Sequence, residues 1–204
     1  MMKACIWVYR LLYVNALWML FTLGGLILFG FFPAAAAMFY LIRQWMDGGD
    51  DGPIFSMFVA KFKAYFIQAN LLGAIILFAG ILLYVDLQFF FQAESTILAI
   101  FRYTLLTITF VYLIMLPYLF PLLVEKKRTI KEVLRDMLFM SITRIVQSAV
   151  MMIGCITIFA AYSQLAGFFL FFFGSTVALW LTWNVKHAHR NILSKQKNSR
   201  MIND

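Results

Sequence analysis

The chain has 204 residues, 64% hydrophobic and 13% charged, with a net charge of +8. Soluble domains hold roughly 45–50% apolar and about 25% charged residues, so the composition excludes an ordinary soluble domain and places the chain in lipid. The positive charge would suggest nucleic acid in a soluble protein, but here it lies between apolar runs, where it fixes orientation and meets anionic lipid. Membrane lipid is therefore the expected partner and nucleic acid is not.

The first apolar stretch, Asn15–Tyr40, carries no charge, three glycines, and Pro33 ahead of four alanines. It exceeds the roughly 20 residues needed to cross a bilayer, and Gly24, Gly25, Gly30 and Pro33 interrupt it. A span over about Arg10–Phe32 is expected, followed by a short helix from Pro33 to Met46. Proline suits a first helical turn because its missing N–H would be unpaired there anyway. Too short to cross alone, this second piece is a bent continuation, a re-entrant segment or an interfacial helix. Lys3, the apolar run and Ala34-Ala35-Ala36 resemble a secretory signal. The run Leu11–Phe32 is longer than the roughly 7–15 residues of a signal's apolar region, so an uncleaved span is expected. Residues 47–53 form a Gly/Pro-rich turn. Its aspartates do not follow EF-hand spacing, since Gly49 and Phe58 would fall on positions where oxygen ligands are required.

Ile54–Phe66 is amphipathic, with Phe55, Phe58, Phe62 and Phe66 recurring every three or four residues beside Lys61 and Lys63. It reads as an interfacial helix or as the lead-in turn of the second span, over about 67–85, which Asp86 closes. Ala69 and Gly73 form a small-xxx-small pair there. The third span covers about 102–124 and is kinked by Pro117 and Pro121. A cytoplasmic helix over 125–136 follows, then a fourth span over about 138–162 whose Arg144 snorkels to the interface. After an uncharged turn at Ser163–Gly167 comes a fifth span over about 168–185. It carries a Gly174/Ala178 small pair and ends at Trp180 and Trp183, which match an aromatic belt. A basic tail, 186–204, closes the chain. The fold class is all-α: one integral membrane domain over 1–204, with about five spans.

Placing the first turn, the loop after the third span and the tail on one side puts fourteen lysines and arginines there and leaves only Lys3, Arg10 and Arg102 opposite. This bias makes that side cytoplasmic, with the C-terminus inside and, for five spans, the N-terminus outside. If Asn15–Trp45 is instead a hairpin or two short passes, the N-terminus turns inward.

No catalytic fingerprint is present, and an enzyme is not expected. His187 and His189 do not share a helix face, Cys5 and Cys155 lack metal or disulfide spacing, and no cofactor is expected. The span centres hold polar but uncharged residues, Asn15, Gln68, Asn70, Thr104, Thr107, Thr109, Gln147, Thr157 and Asn184, read as interhelical hydrogen bonders rather than a solute path.

Asn15-x-x-Trp18, Gly25…Gly30-Phe31-Phe32-Pro33-Ala34-x-x-Ala37-x-Phe39 and Arg43-x-Trp45 resemble the signature of the YesL-like family. Pro53-x-Phe55-x-x-Phe58, Phe62-Lys63-x-Tyr65-Phe66 and Asn70-x-x-Gly73 resemble its next block, and Pro121-Leu122 is similar too. The likeness is specific over Asn15–Gly73. It departs at Ala35, where a hydroxyl residue is common, and in the fourth span, which lacks an early proline. The resemblance implies a polytopic membrane protein of Gram-positive bacteria, without assigned activity, associated with carbohydrate uptake systems. An accessory of an ABC importer or sensing complex is therefore expected, with 125–136 and the Phe55/Phe58/Phe62 stripe as contact surfaces. The alternative is a small permease. The candidate motif residues are Asn15, Trp18, Gly30, Pro33, Ala34, Ala37, Arg43, Trp45, Phe58, Lys63, Asn70 and Gly73. The region around Pro33 is the expected centre of the bundle.

Overall fold

The computed structural model describes residues 2–49, 52–91, 96–126, 128–164 and 171–187, and every regular element among them is helical. The helices are α1 (Met2–Gly24), α2 (Leu28–Met46), α3 (Ile54–Phe91), α4 (Thr96–Met115), α5 (Leu119–Leu123), α6 (Ile130–Thr143), α7 (Ile145–Ser163) and α8 (171–187). Four helical stretches are long and apolar enough to cross a membrane: Cys5–Gly24, Ile54–Phe91, Ile100–Leu123 and Ile145–Ser163. The protein is a multi-pass membrane protein.

The break in the first stretch lies earlier than the sequence suggests. Gly24 ends α1, and the chain reverses through Leu26 (φ 55°) and Ile27 (φ 61°). Left-handed backbone at a β-branched residue is strained by about 1–2 kcal/mol. The turn is held by Ile27 N–H donating to the Thr22 carbonyl at 2.8 Å and Gly25 N–H donating to Phe21 at 3.0 Å. Glycine is required on both sides of it: a Cβ on Gly25 would overlap the Gly30 backbone, and one on Gly30 would overlap the Phe21 carbonyl. Pro33 therefore does not open a helix. It lies inside α2, where it leaves the Phe29 carbonyl without its helical donor.

Eleven of the nineteen residues of α2 are buried, including all of Ala34–Ala37, and the helix packs against α1, α3 and α5. Small side chains let several helices approach one axis where lipid gives no hydrophobic drive between them. The expected centre of the bundle is thus α2 itself.

The amphipathic stretch, read as an interfacial helix or as the lead-in of the second span, is continuous with that span. α3 has 38 residues, or about 57 Å at ~1.5 Å per residue, and it runs past Asp86 to Phe91. Phe58 is fully buried, and Phe58 and Phe62 meet Phe21 of α1 at 5.3 and 5.0 Å. Packing on α1 makes this stretch the lead-in of α3. The third span bends as expected: α4 gives way to a 3-10 turn at Leu116–Tyr118 before α5, where the two prolines withhold backbone donors.

Beyond that bend the boundaries shift. Thr129 caps α6 reciprocally with Glu132, so Glu125–Arg128 precede the helix. α6 runs on to Thr143 and buries Val133, Met137, Met140 and Ser141 on one face. Arg144 (φ −128°, ψ 50°) separates it from α7, so the fourth span starts at Ile145. Trp180 is not part of a lipid-facing belt, because its ring covers Gly154 of α7. Trp183, about half exposed, stacks on His187. The Ser163–Gly167 turn beyond Gln164, the start of the fifth span, part of the 86–95 linker and the tail beyond 187 lie outside the described residues.

Candidate functional site

The structure gathers eight of the twelve motif residues at three places. At the α1–α2 turn, Gly30 admits the Phe21 carbonyl, and the Asn70 side chain of α3 donates to the Phe29 carbonyl at 3.0 Å and to Phe66 at 3.0 Å. Asn70 thus supplies the donor that Pro33 withholds, the kind of repair by a neighbouring helix that lets proline persist in a membrane segment. Gly73, one turn further on, has the Phe32 ring where its Cβ would stand.

Second, Asn15 is fully buried and its Oδ1 accepts the Ser175 N–H of α8 at 3.1 Å, beside Gly174. Trp18 flanks the same glycine, and its buried Nε1 has no hydrogen-bond partner among the described residues. Third, Arg43 and Trp45 stand at the end of α2. Ala34, Ala37 and Phe58 are core residues, and Lys63 is exposed.

The end of α2 carries the most extensive ion-pair network among the described residues. The Arg43 guanidinium lies 3.3 Å from Glu125 Oε1 and 3.8 Å from Asp47. Glu125 Oε2 meets Arg128 at 3.3 Å, and Arg128 meets Asp136 at 2.7 Å, which also holds Arg135 at 3.2 Å. Lys186 of α8 pairs with Asp47 and donates to the Met46 carbonyl at 2.8 Å, satisfying the end of α2. Glu125 is only 6% exposed and bridges the two arginines, one on each carboxylate oxygen. Of this network, the sequence motif includes only Arg43. Its partner Glu125 lies 82 residues away, and no local pattern announces such a pairing.

Arg10 sits over the Trp45 ring at 5.2 Å, and Trp7 meets the same ring edge-on at 6.4 Å. The start of α1 therefore lies beside the end of α2. The expected single crossing by the first stretch is replaced by a hairpin that leaves and returns at one end of the bundle.

Two polar grooves flank the network. One, of about 480 Å³, runs between α3 and the start of α6 and is lined by Lys61, Tyr65, Gln68, Arg128, Thr129 and Glu132. Lys61 there lies 4.0 Å over the Tyr40 ring, and Gln68 donates to the Arg128 carbonyl at 2.6 Å. The other, of about 240 Å³, is bordered by Tyr40, Arg43, Gln44, Asp47 and Glu125. Glu132 has its carboxyl held below the usual value, chiefly by the Thr129 N–H it accepts and then by the Thr129 hydroxyl. No three His, Cys, Asp or Glu residues gather as a metal site among the described residues.

Most of the remaining polar residues act within the fold, while the buried Thr109 hydroxyl has no hydrogen-bond partner among the described residues, against the interhelical reading. Gln147 donates to Asn184 at 2.7 Å and Tyr118 is bonded to Ser148 at 3.0 Å, both between helices. Thr104, Thr107 and Thr157 instead donate to carbonyls four residues earlier in their own helices, which corrects the interhelical reading for these three.

Residues 11–87 match the family described as "Protein of unknown function, DUF624". Over 196 residues the chain is 33% identical to the uncharacterized protein YesL of Bacillus subtilis (strain 168), covering 96% of this chain and 92% of that protein. The chain belongs to the YesL-like family. Two further uncharacterized proteins of the same organism are similar: YteU, 33% identical over 87% of this chain and 80% of its own length, and YesV, 35% identical over 74% and 73%. No solved structure matches. All twelve motif residues fall inside the matched stretch of this YesL-like chain, whereas Glu125, Arg128, Asp136 and Lys186 fall beyond it.

Proposed function

We propose that this protein is a non-enzymatic accessory of a carbohydrate uptake system, an ABC importer or a sensing complex, in the bacterial cell membrane with both chain ends in the cytoplasm. The observation that carries the reading is the use made of the intramembrane polar groups. Asn15, Asn70, Gln147 and Asn184 each join one helix to another, and Asn15, Gln68 and Asn70, which a permease would turn toward one cavity, meet three different partners. Such a use suits a scaffold better than a solute path. The association with carbohydrate uptake rests on the family resemblance.

The contact surface is the exposed face of α6, with Lys131, Glu132 and Arg135, rather than the aromatic stripe, of which Phe58 is buried against α1. Crosslinking in native membranes with a photoreactive residue at Lys131 is expected to recover a transporter or sensor subunit. Recovery of neither, together with solute flux in liposomes holding only this chain, would hand the function to the permease reading.

The hairpin supports this orientation. Moving Lys3 and Arg10 to the side of Arg43 and Lys186 turns fourteen against three into sixteen against one, the direction the positive-inside rule favours. Cys5 is exposed and Cys155 partly buried. In a Cys155→Ser background, a membrane-impermeant maleimide is expected to label Cys5 in inside-out vesicles and not in intact cells; the reverse pattern would refute the assignment.

A further inference from the structure

We propose that the groove between α1 and α3 is a phospholipid site, with one acyl chain lying against Phe21, Phe62 and Phe66 and an anionic headgroup meeting Lys63. The groove holds about 570 Å³ and is lined by Leu20, Phe21, Gly24, Gly25, Phe62 and Phe66. Leu20 is 60% exposed and Phe66 38% exposed, so it opens sideways from the bundle. Side chains of this kind, on a protein whose apolar faces meet lipid, offer a hydrocarbon chain contact and offer a polar solute nothing.

Gly24 gives the groove its shape. Gly25 and Gly30 are fixed by contact, because a Cβ on either would overlap backbone; a Cβ on Gly24 would meet nothing within 4 Å, and its φ lies outside the left-handed range. The fold therefore does not require glycine at 24, and what its missing side chain leaves is the open floor of the groove.

The charge beside it selects the headgroup. Lys63 is exposed, one residue from Phe62 and three from Phe66, and it has no acidic partner among the described residues. Its neighbour Lys61 is turned away onto Tyr40. An apolar channel with one unneutralised cation at its side complements an amphiphile with a negative head, and one basic residue near the surface favours anionic lipid about five-fold.

The test is lipid retention by the full-length protein, purified in mild detergent from membranes holding both phosphatidylglycerol and phosphatidylethanolamine, and read by native mass spectrometry. The wild type is expected to keep one phospholipid per chain, phosphatidylglycerol about five-fold over phosphatidylethanolamine. Gly24→Leu is expected to lower retention about tenfold, the effect of excluding about two methylenes of chain. Lys63→Gln is expected to keep a lipid and lose the preference. Leu20→Trp, a second filler at an exposed position, carries the test if Gly24→Leu does not fold. Equal retention by the fillers and the wild type, or an unchanged preference in Lys63→Gln, would overturn the proposal. So would a dimer that the fillers abolish without changing bound lipid, which would give the groove to a second copy of the chain.

Discussion

At the turn of the α1–α2 hairpin, Gly25 lies against Gly30 and the Asn70 amide reaches the carbonyl that Pro33 leaves free; at the other end of α2, Arg43, Asp47, Glu125, Arg128, Asp136 and Lys186 are joined by ion pairs. The first contact depends on atoms that are missing. Two glycines let backbones touch, and one side-chain amide compensates one lost backbone bond. The second depends on long side chains that meet across 82 residues of sequence, Arg43 to Glu125, and 139, Asp47 to Lys186. Inside lipid a backbone carbonyl must be satisfied by neighbouring protein, whereas at the membrane edge charges are partly solvated and hold helix ends together. One helix is thus anchored by close packing at one end and by electrostatics at the other.

That contrast can be broken from either side. The largest effect is expected from Gly30→Val, which drives a side chain into the Phe21 carbonyl and prevents the hairpin closing. A loss of about 3 kcal/mol or more should appear as aggregated protein on size exclusion, while Gly24→Ala stays monodisperse. Normal behaviour of Gly30→Val would show that the turn is not set by close contact.

At the charged end, Glu125→Gln leaves Arg43 and Arg128 without their shared carboxylate. A cost of about 3 kcal/mol is expected, read as a lower unfolding midpoint in detergent; a change below about 0.5 kcal/mol would mean the network behaves like ordinary surface pairs.

Asn70→Leu should cost about 2 kcal/mol by leaving the Phe29 carbonyl unpaired. The same substitution made together with Pro33→Ala should cost less, because an alanine N–H at that position restores the helical donor. A double-mutant cycle with no coupling would remove the repair from the account.

Thr129→Ala is the mildest change, about 1 kcal/mol for a lost cap. Glu132 adds a pH signature. Its carboxyl is held below the usual value in the folded protein, so its contribution is complete above the unfolded value near ~4.3 and is lost as pH falls through the lower folded value. Glu132→Gln should flatten that acid-side decline in the unfolding midpoint.

Membrane class and helical composition were legible because long uncharged runs admit few other structures. The bend at Pro117 was legible for a similarly local reason. Other boundaries were not. Nothing in the residues around Arg144 breaks a helix by itself, as neither glycine nor proline is present, so the split between α6 and α7 was hidden. Pro33 misled because proline is usual both at helix starts and in repaired membrane helices, and only Asn70, 37 residues on, distinguishes the two. Among the motif residues, Gly30 and Pro33 belong to one block of the family resemblance and Asn70 and Gly73 to the next, and their contacts around the hairpin turn supply the physical reason. The ion pairs stayed invisible because they join residues whose sequence separation carries no period.

The length of α3 has a consequence for where the bilayer lies. Lys63 and Asp86 are 23 residues apart on this one helix, about 35 Å along its axis. A hydrocarbon core of about 30 Å fits between those two charges if the helix leans by roughly 30°. The helix then carries its own depth marks: residues 54–62 stand clear of the core on the lysine side and 87–91 on the other, Phe62 comes to rest at the level of the headgroups, and Phe66 lies about 4 Å inside the core.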